Sequence, residues 1–377
     1  MTNQPHDITA EADGTAPRNE PDTGNREVWP DIVRIVAVFS VIVLHTGVEH
    51  FYRLDTRTAN WQICNFYESV VRFGVPAFVM LSGAFLLDPA REYPLKKLYG
   101  RKIARLAAAY LFWSVFYVIS DHFLARLFGS GAKLTCSRFF TDVIAGKYHL
   151  WFLPMMAGLY VVTPILRHLV ENERLTVYFL VLSLLFVFAV NTFDVIPFCH
   201  DEITPNIARF DVKLVAGFSG YYVWGCWLVR HELKPASRRG IYLAGLLAVL
   251  ATVAVNGLTG YRLHRAGEWM FGNLSLNTLL AATAVFVFCR QYFRDSRPGP
   301  RARKLTGLLG KWSFGIYLVH VFVLGYFNYI LIRLDVMSFV CDHPLVSIPV
   351  TSAAVFSASA LFAALLSRIP VLNQYIV

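Results

Sequence analysis

Apolar residues in this chain are gathered into long windows, with neither the two-residue alternation of a strand nor the narrow stripe of a surface helix. Ten such windows stand out, at 30–48, 61–87, 102–124, 149–167, 175–191, 213–230, 240–257, 274–290, 312–332 and 345–367. Crossing the hydrocarbon of a bilayer takes about 20 apolar residues in helical conformation, which most of these windows supply. Several carry Pro or Gly, which spanning helices tolerate when neighbouring helices satisfy the freed backbone groups. The pattern predicts an all-α, polytopic integral membrane protein of about ten transmembrane helices, with one membrane domain over 30–377. The two halves show no repeat, so an inverted-repeat transporter gains no support. Residues 1–29 are polar and rich in Pro, Asp, Glu, Asn and Thr. With no apolar core ahead of a cleavage site, they read as a disordered cytoplasmic tail and not as a signal peptide.

Composition sharpens this reading. Of 377 residues, 56% are hydrophobic and only 16% charged, which excludes an ordinary soluble domain. The net charge of +10 raises the question of nucleic acid, and the distribution of that charge argues against it. Lys and Arg alternate between connecting segments, with about a twofold excess on the side that also holds the N-terminus. That bias predicts both termini in the cytoplasm. Cys64, Cys226 and Cys289 fall inside apolar windows as small buried hydrophobes. Cys136, Cys199 and Cys341 lie in connections without metal-ligand spacing, and sequence does not say whether any two of them pair.

Ionisable residues inside a span are costly, and their default reading is functional. The first window carries two, Arg34 and His45. Eleven positions correspond to three helical turns, which puts both on one face roughly 16 Å apart along the axis. The plainer alternative is that Arg34 snorkels to the headgroups and His45 bonds a neighbouring helix. Glu49 follows His45 by one turn and either orients its imidazole or is simply hydrated at the helix end. In the second window Glu68 and Arg72 are four apart, either neutralising each other or holding a substrate hydroxyl. Arg101, Lys102 and Arg105 open the third window on the same side as Arg34. Alone they are membrane anchors; together with Arg34 they suit phosphates arriving from the cytoplasm. No Gly-rich phosphate loop, zinc motif or Gly-x-Ser-x-Gly elbow is present, and no metal or bound cofactor is expected.

An ordered set of segments resembles the membrane-bound acyltransferase-3 family, whose members acylate surface carbohydrates and other extracytoplasmic acceptors. The set begins with Asp31-Ile-Val-Arg34 followed by His45, then Arg72-Phe-Gly-Val-Pro-Ala-Phe-Val-Met-Leu-Ser82-Gly83. It continues with Arg101-Lys-Ile-Ala-Arg105-Leu and Tyr110-Leu-Phe-Trp113, with His149-Leu-Trp151-Phe-Leu and Leu159-Tyr-Val-Val-Thr-Pro164, and with Ser313-Phe-Gly-Ile-Tyr-Leu-Val-His320. The first segment and the His149 region look closest to bacterial O-acetyltransferases of surface polysaccharides. Ala109 and Val321 depart from the family pattern, the first standing where Pro is common and the second where Pro is usual. Both departures concern helix geometry more than chemistry.

The resemblance implies a membrane O-acyltransferase of the bacterial cytoplasmic (inner) membrane. Acyl-CoA, acetyl-CoA foremost, would be the co-substrate, and a hydroxyl of a surface glycan or lipid-linked saccharide the acceptor. His45 would be the base or an acyl relay, with Glu49 beside it, and Arg34, Arg101, Lys102 and Arg105 would hold the donor. Glu68, Arg72, Ser82, His149, Trp151 and His320 would serve the acceptor or support the site. On the acceptor side the sequence points to loop 192–213 with Asp194, Asp201, Glu202 and Asp211, and to Trp151, Tyr221 and Tyr222 as stacking platforms. An exporter of acyl groups or glycans lined by Arg34 and His45 is the alternative, and a purely structural subunit a third. The acceptor's identity, the acyl chain and the oligomeric state are not legible here.

Overall fold

The computed structural model describes residues 27–91, 94, 96, 98–127, 129, 134–196, 198–208 and 217–375. The acceptor-loop residue Asp211 and nearly all of the N-terminal tail lie outside the described residues. Among those described, all regular structure is helical, and nine helices are long and apolar enough to cross a membrane. We number the main helices α1 (Trp29–Arg53), α2 (Ala59–Val71), α3 (Gly74–Leu86), α4 (Ala104–Leu127), α5 (Cys136–Ala145) and α6 (Phe152–Glu171). The remainder are α7 (Glu173–Ser183), α8 (Ser219–Arg230), α9 (Pro235–Leu263), α10 (Leu276–Phe293), α11 (Pro300–Arg333) and α12 (Pro344–Leu366). The window at 213–230 is represented by α8, whose 12 residues rise only about 18 Å.

Local signals set the helix starts. Proline occupies the first turn of α1, α9, α11 and α12, where its missing N–H has no intrahelical partner to lose. Thr58, Thr135 and Asn172 cap α2, α5 and α7 by accepting from the backbone N–H three residues on. The second span is interrupted between α2 and α3 at Arg72 and Phe73. Pro76 cannot donate to the Arg72 carbonyl four residues back, so the ladder breaks where the charged residue sits.

Helix α1 is the hub, packing against α2, α3, α10, α11 and α12. Small residues permit the tightest crossings. A Cβ at Gly83 would run into the backbone of Tyr222, and one at Gly225 into the backbone of Met80, so α3 and α8 meet main chain to main chain. This contact holds the short α8 in the interior, with Tyr221 and Tyr222 fully buried.

Hydrogen bonds between helix ends fix relative sidedness. Arg167 near the end of α6 donates to the Leu86 carbonyl that closes α3, at 2.8 Å. Arg230 at the end of α8 donates to Val170 of α6. Arg290 of α10, buried, donates to Leu228 and Val229 of α8, both at 2.8 Å. Each arginine thus satisfies carbonyls that a helix C-terminus leaves open, and all these ends share one basic face. On the opposite face Thr56 bonds the Gly260 carbonyl and Asn60 that of Asp342, each at 2.8 Å, while Tyr67 bonds that of Leu345 at 2.9 Å. Cys64, Cys226 and Cys289 are buried, and all six cysteines are free thiols.

Candidate active site

The hub helix presents Arg34 and His45 to two different cavities. At the basic face a cavity of about 890 Å³ is enclosed by the start of α1, by α4 and by the first part of α11. Arg34 and Arg105 line it, joined by Arg303, Lys304 and Lys311 of α11. Asp31 holds the Arg34 guanidinium at 2.7 Å, and Gly310 lets α11 come close enough that any Cβ there would strike the Asp31 carboxylate. Arg105 packs its guanidinium over the Phe314 ring, 5.1 Å from the centroid. Arg101 is exposed and Lys102 half-buried in the π-helical turn before α4, and neither lines the cavity. Five cations facing two carboxylates, Asp31 and Glu27, give this cavity an excess of positive charge that suits a multiply charged anion.

His45 opens instead into an outer cavity of about 400 Å³, shared with Glu49, Asp121, Lys147, Tyr148 and Asn328. Its ring stacks on His320, with centroids 5.2 Å apart, and meets the edge of Tyr148 at 5.1 Å. His149 in turn lies edge-on to His320 at 5.3 Å. Three imidazoles from α1, the turn before α6, and α11 therefore form one cluster. Sequence reasoning marked all three, but it gave no sign that they meet.

The cluster is held by backbone carbonyls. His320 Nδ1 faces the Tyr317 carbonyl at 2.5 Å, and a carbonyl only accepts. Nδ1 therefore donates there, and Nε2 is buried without a hydrogen-bond partner among the described residues. His149 makes a longer 3.4 Å contact from Nε2 to the Leu318 carbonyl, and Tyr317 donates its hydroxyl to the His149 carbonyl. Tyr117 of α4 donates to Leu318 at 2.7 Å while accepting from the Phe322 amide at 3.2 Å, so its hydroxyl sits in the α11 ladder beside His320. His45, by contrast, makes no hydrogen bond with any described residue, and its imidazole is the member of the cluster that lines the outer cavity.

The remaining sequence candidates fall at varying distances from this cluster. Glu49 lines the same cavity but pairs with Arg53 at 3.1 Å and does not bond His45 among the described residues. Glu68 and Arg72 form a buried ion pair of 2.6 Å, with Arg72 lying over the Phe271 ring at 3.9 Å. Glu68 Oε1 is left without a hydrogen-bond partner beside Gly47, where any Cβ would crowd it. Ser82 is half-buried on α3 and lines neither cavity. Trp151 is exposed and packs on Phe218. Tyr221 and Tyr222 are buried, their hydroxyls tied to the Asn273 carbonyl and to Thr163. Asp194 pairs with His200, and neither residue lines the His45 cavity. No group of His, Cys, Asp and Glu among the described residues is arranged to hold a metal ion.

Five residues came without a specific sequence signal. Arg303, Lys304 and Lys311 read only as positive-inside charge. Their clue was the length of α11: 34 residues rise about 51 Å, far beyond a hydrocarbon core of about 30 Å. Asp121 and Lys147, a 2.7 Å ion pair at the outer cavity, sit in separate segments that nothing in sequence joins.

A family model described as an acyltransferase domain matches residues 27–368, nearly the whole chain. No curated protein and no solved structure matches it.

Proposed function

The chain belongs to the acyltransferase-3 family, a membrane acyltransferase by that membership, and from this premise we propose that it moves an acetyl group from cytoplasmic acetyl-CoA to a hydroxyl of a surface glycan or lipid-linked sugar. One observation carries the reading: α1 lines a strongly basic cavity at Arg34 and, three turns on, a separate outer cavity at His45. The basic face is then the cytoplasmic one, and both cavities lie on helices α1 and α11.

Acyl-CoA bears several phosphate charges and cannot enter hydrocarbon. Arg34, Arg105, Arg303, Lys304 and Lys311 offer it charge-assisted hydrogen bonds at the membrane edge. To bring the thioester to His45 its pantetheine arm must pass roughly 16 Å along α1, beside Val38 and Val41, whose buried packing has to open to admit it. In the outer cavity His45 takes the proton from the acceptor hydroxyl as its oxygen attacks the thioester carbonyl carbon. The C–O bond forms, the C–S bond breaks, and the imidazolium returns its proton to the departing thiolate. The products are the ester and free CoA. His320 fixes the His45 ring by stacking and Tyr148 by an edge contact, and among the described residues no hydrogen bond competes for its nitrogens. An acyl-histidine relay uses the same geometry in two steps.

Transfer in detergent is the deciding test. Purified protein given labelled acetyl-CoA and candidate glycans should form the ester without a sealed membrane. An absolute requirement for two compartments would defeat catalysis and favour export.

A further inference from the structure

The outer cavity that reaches His45 has a neighbour. A second cavity, also of about 400 Å³, lies on the adjoining face of α4 and is closed by α5. The two share two lining residues, Asp121 and Lys147, whose ion pair of 2.7 Å forms the wall between them. Lys147 Nζ stands between the rings of Tyr117 and Tyr148, 5.9 and 5.8 Å from their centroids, so it belongs to both lobes equally. The wall is also a weak one. Its partners are 26% and 46% exposed, and an ion pair in that setting contributes little and is readily exchanged for other polar contacts.

The two lobes differ in chemistry. The lobe at His45 carries aromatic faces, Tyr148, Phe322 and Tyr326, alongside Glu49 and Asn328. The far lobe offers Arg138, Asp142 and His122, with charge of both signs. A ligand spanning them must both donate to carboxylates and accept from cations at close intervals, and it must show an apolar face in the first lobe. A polyhydroxylated ring does all three.

We propose that the vestibule is a two-subsite acceptor site, taking the sugar to be acylated at His45 and a second linked sugar in the lobe bounded by Arg138 and Asp142. The sugar hydroxyls replace the Asp121–Lys147 contact where the glycosidic linkage crosses the wall. This inference rests on the glycan-acceptor reading above and adds the length of the acceptor to it.

The test is a chain-length series. Initial transfer from labelled acetyl-CoA is measured with methyl glycosides of one, two and three units, in the glucose, galactose and N-acetylglucosamine series. In at least one series kcat/KM should rise about tenfold or more from one unit to two, and change little from two to three. Arg138→Ala and Asp142→Ala should each pull the two-unit to one-unit ratio back toward unity. Arg138→Lys should restore part of it. Both side chains are largely exposed, so folding is not at stake. Transfer with a flat ratio, or a ratio untouched by these substitutions, overturns the second subsite and leaves the acceptor reading standing. Consumption of acetyl-CoA with transfer to no saccharide overturns both.

Discussion

The two cavities are built from the same three helices, α1, α4 and α11, and differ sharply in charge. The basic-face cavity is larger, about 890 against 400 Å³, and gathers five cations against two carboxylates. The outer cavity is close to balanced, with Glu49 and Asp121 set against Lys147 and with His45 in the same lining. A site dominated by one sign of charge selects ligands by charge and is sensitive to salt. A balanced site with aromatic walls selects by shape and by the placing of single hydrogen bonds. Under the proposed function, the contrast assigns binding strength to one end of α1 and chemistry to the other.

The largest expected effect separates the two ends most cleanly. His45→Ala should leave acetyl-CoA binding at the basic face intact while lowering transfer by about 10²–10⁴-fold, the usual contribution of a general base. His45→Gln should be as inactive, because an amide cannot take up the proton. A Gln variant with wild-type turnover, measured alongside donor binding, would leave His45 with a packing role only.

Next is the buried pair near the outer end. Arg72→Met leaves the Glu68 carboxylate buried without its partner and should destabilise the protein by about 3–5 kcal/mol. Replacing both residues by apolar ones should recover much of that loss. Thermal unfolding in detergent reads both variants, and equal losses in the single and double variants would mean that the pair is not the issue.

A smaller effect belongs to the basic end. Removing one cation at Arg303, Lys304 or Lys311 should weaken acetyl-CoA by about 1.5–3 kcal/mol, tenfold or more in its binding constant. The use of a short, phosphate-free thioester should hardly change. Equal loss with both donors would make these residues anchors of α11 and erase the division of labour.

The smallest effect tests how loosely the vestibule wall is held. Lys147→Ala should shift unfolding by less than about 1 kcal/mol, since its pair with Asp121 is half in solvent. A loss of several kcal/mol would show a rigid partition, one that no acceptor can cross.

Sequence showed these two ends unequally. The spans were legible because long apolar windows need no partner to be recognised. The basic end was half legible: Arg34 and Arg105 stood out within or beside apolar windows, whereas Arg303 and Lys304 looked like any loop charge until α11 proved to extend through them. At the outer end His45 was visible as an ionisable residue in a span. Its stacking on His320 was not, because 275 residues of chain separate them and no periodicity encodes a contact between spans one and nine. Tyr221 and Tyr222 show the converse. Their residue type suggested a sugar platform, and only the main-chain contact of α3 with α8, allowed by Gly83 and Gly225, places them in the core.

The arginines at the basic face also follow an order along the chain. The last carbonyls of α3 are satisfied by Arg167 of α6, those of α6 by Arg230 of α8, and those of α8 by Arg290 of α10. Each donor belongs to the next helix running toward the same face, later in the chain. Truncation between α6 and α8 would therefore remove Arg230 and leave the Val170 carbonyl of α6 without that donor, a helix end completed only by a later part of the chain.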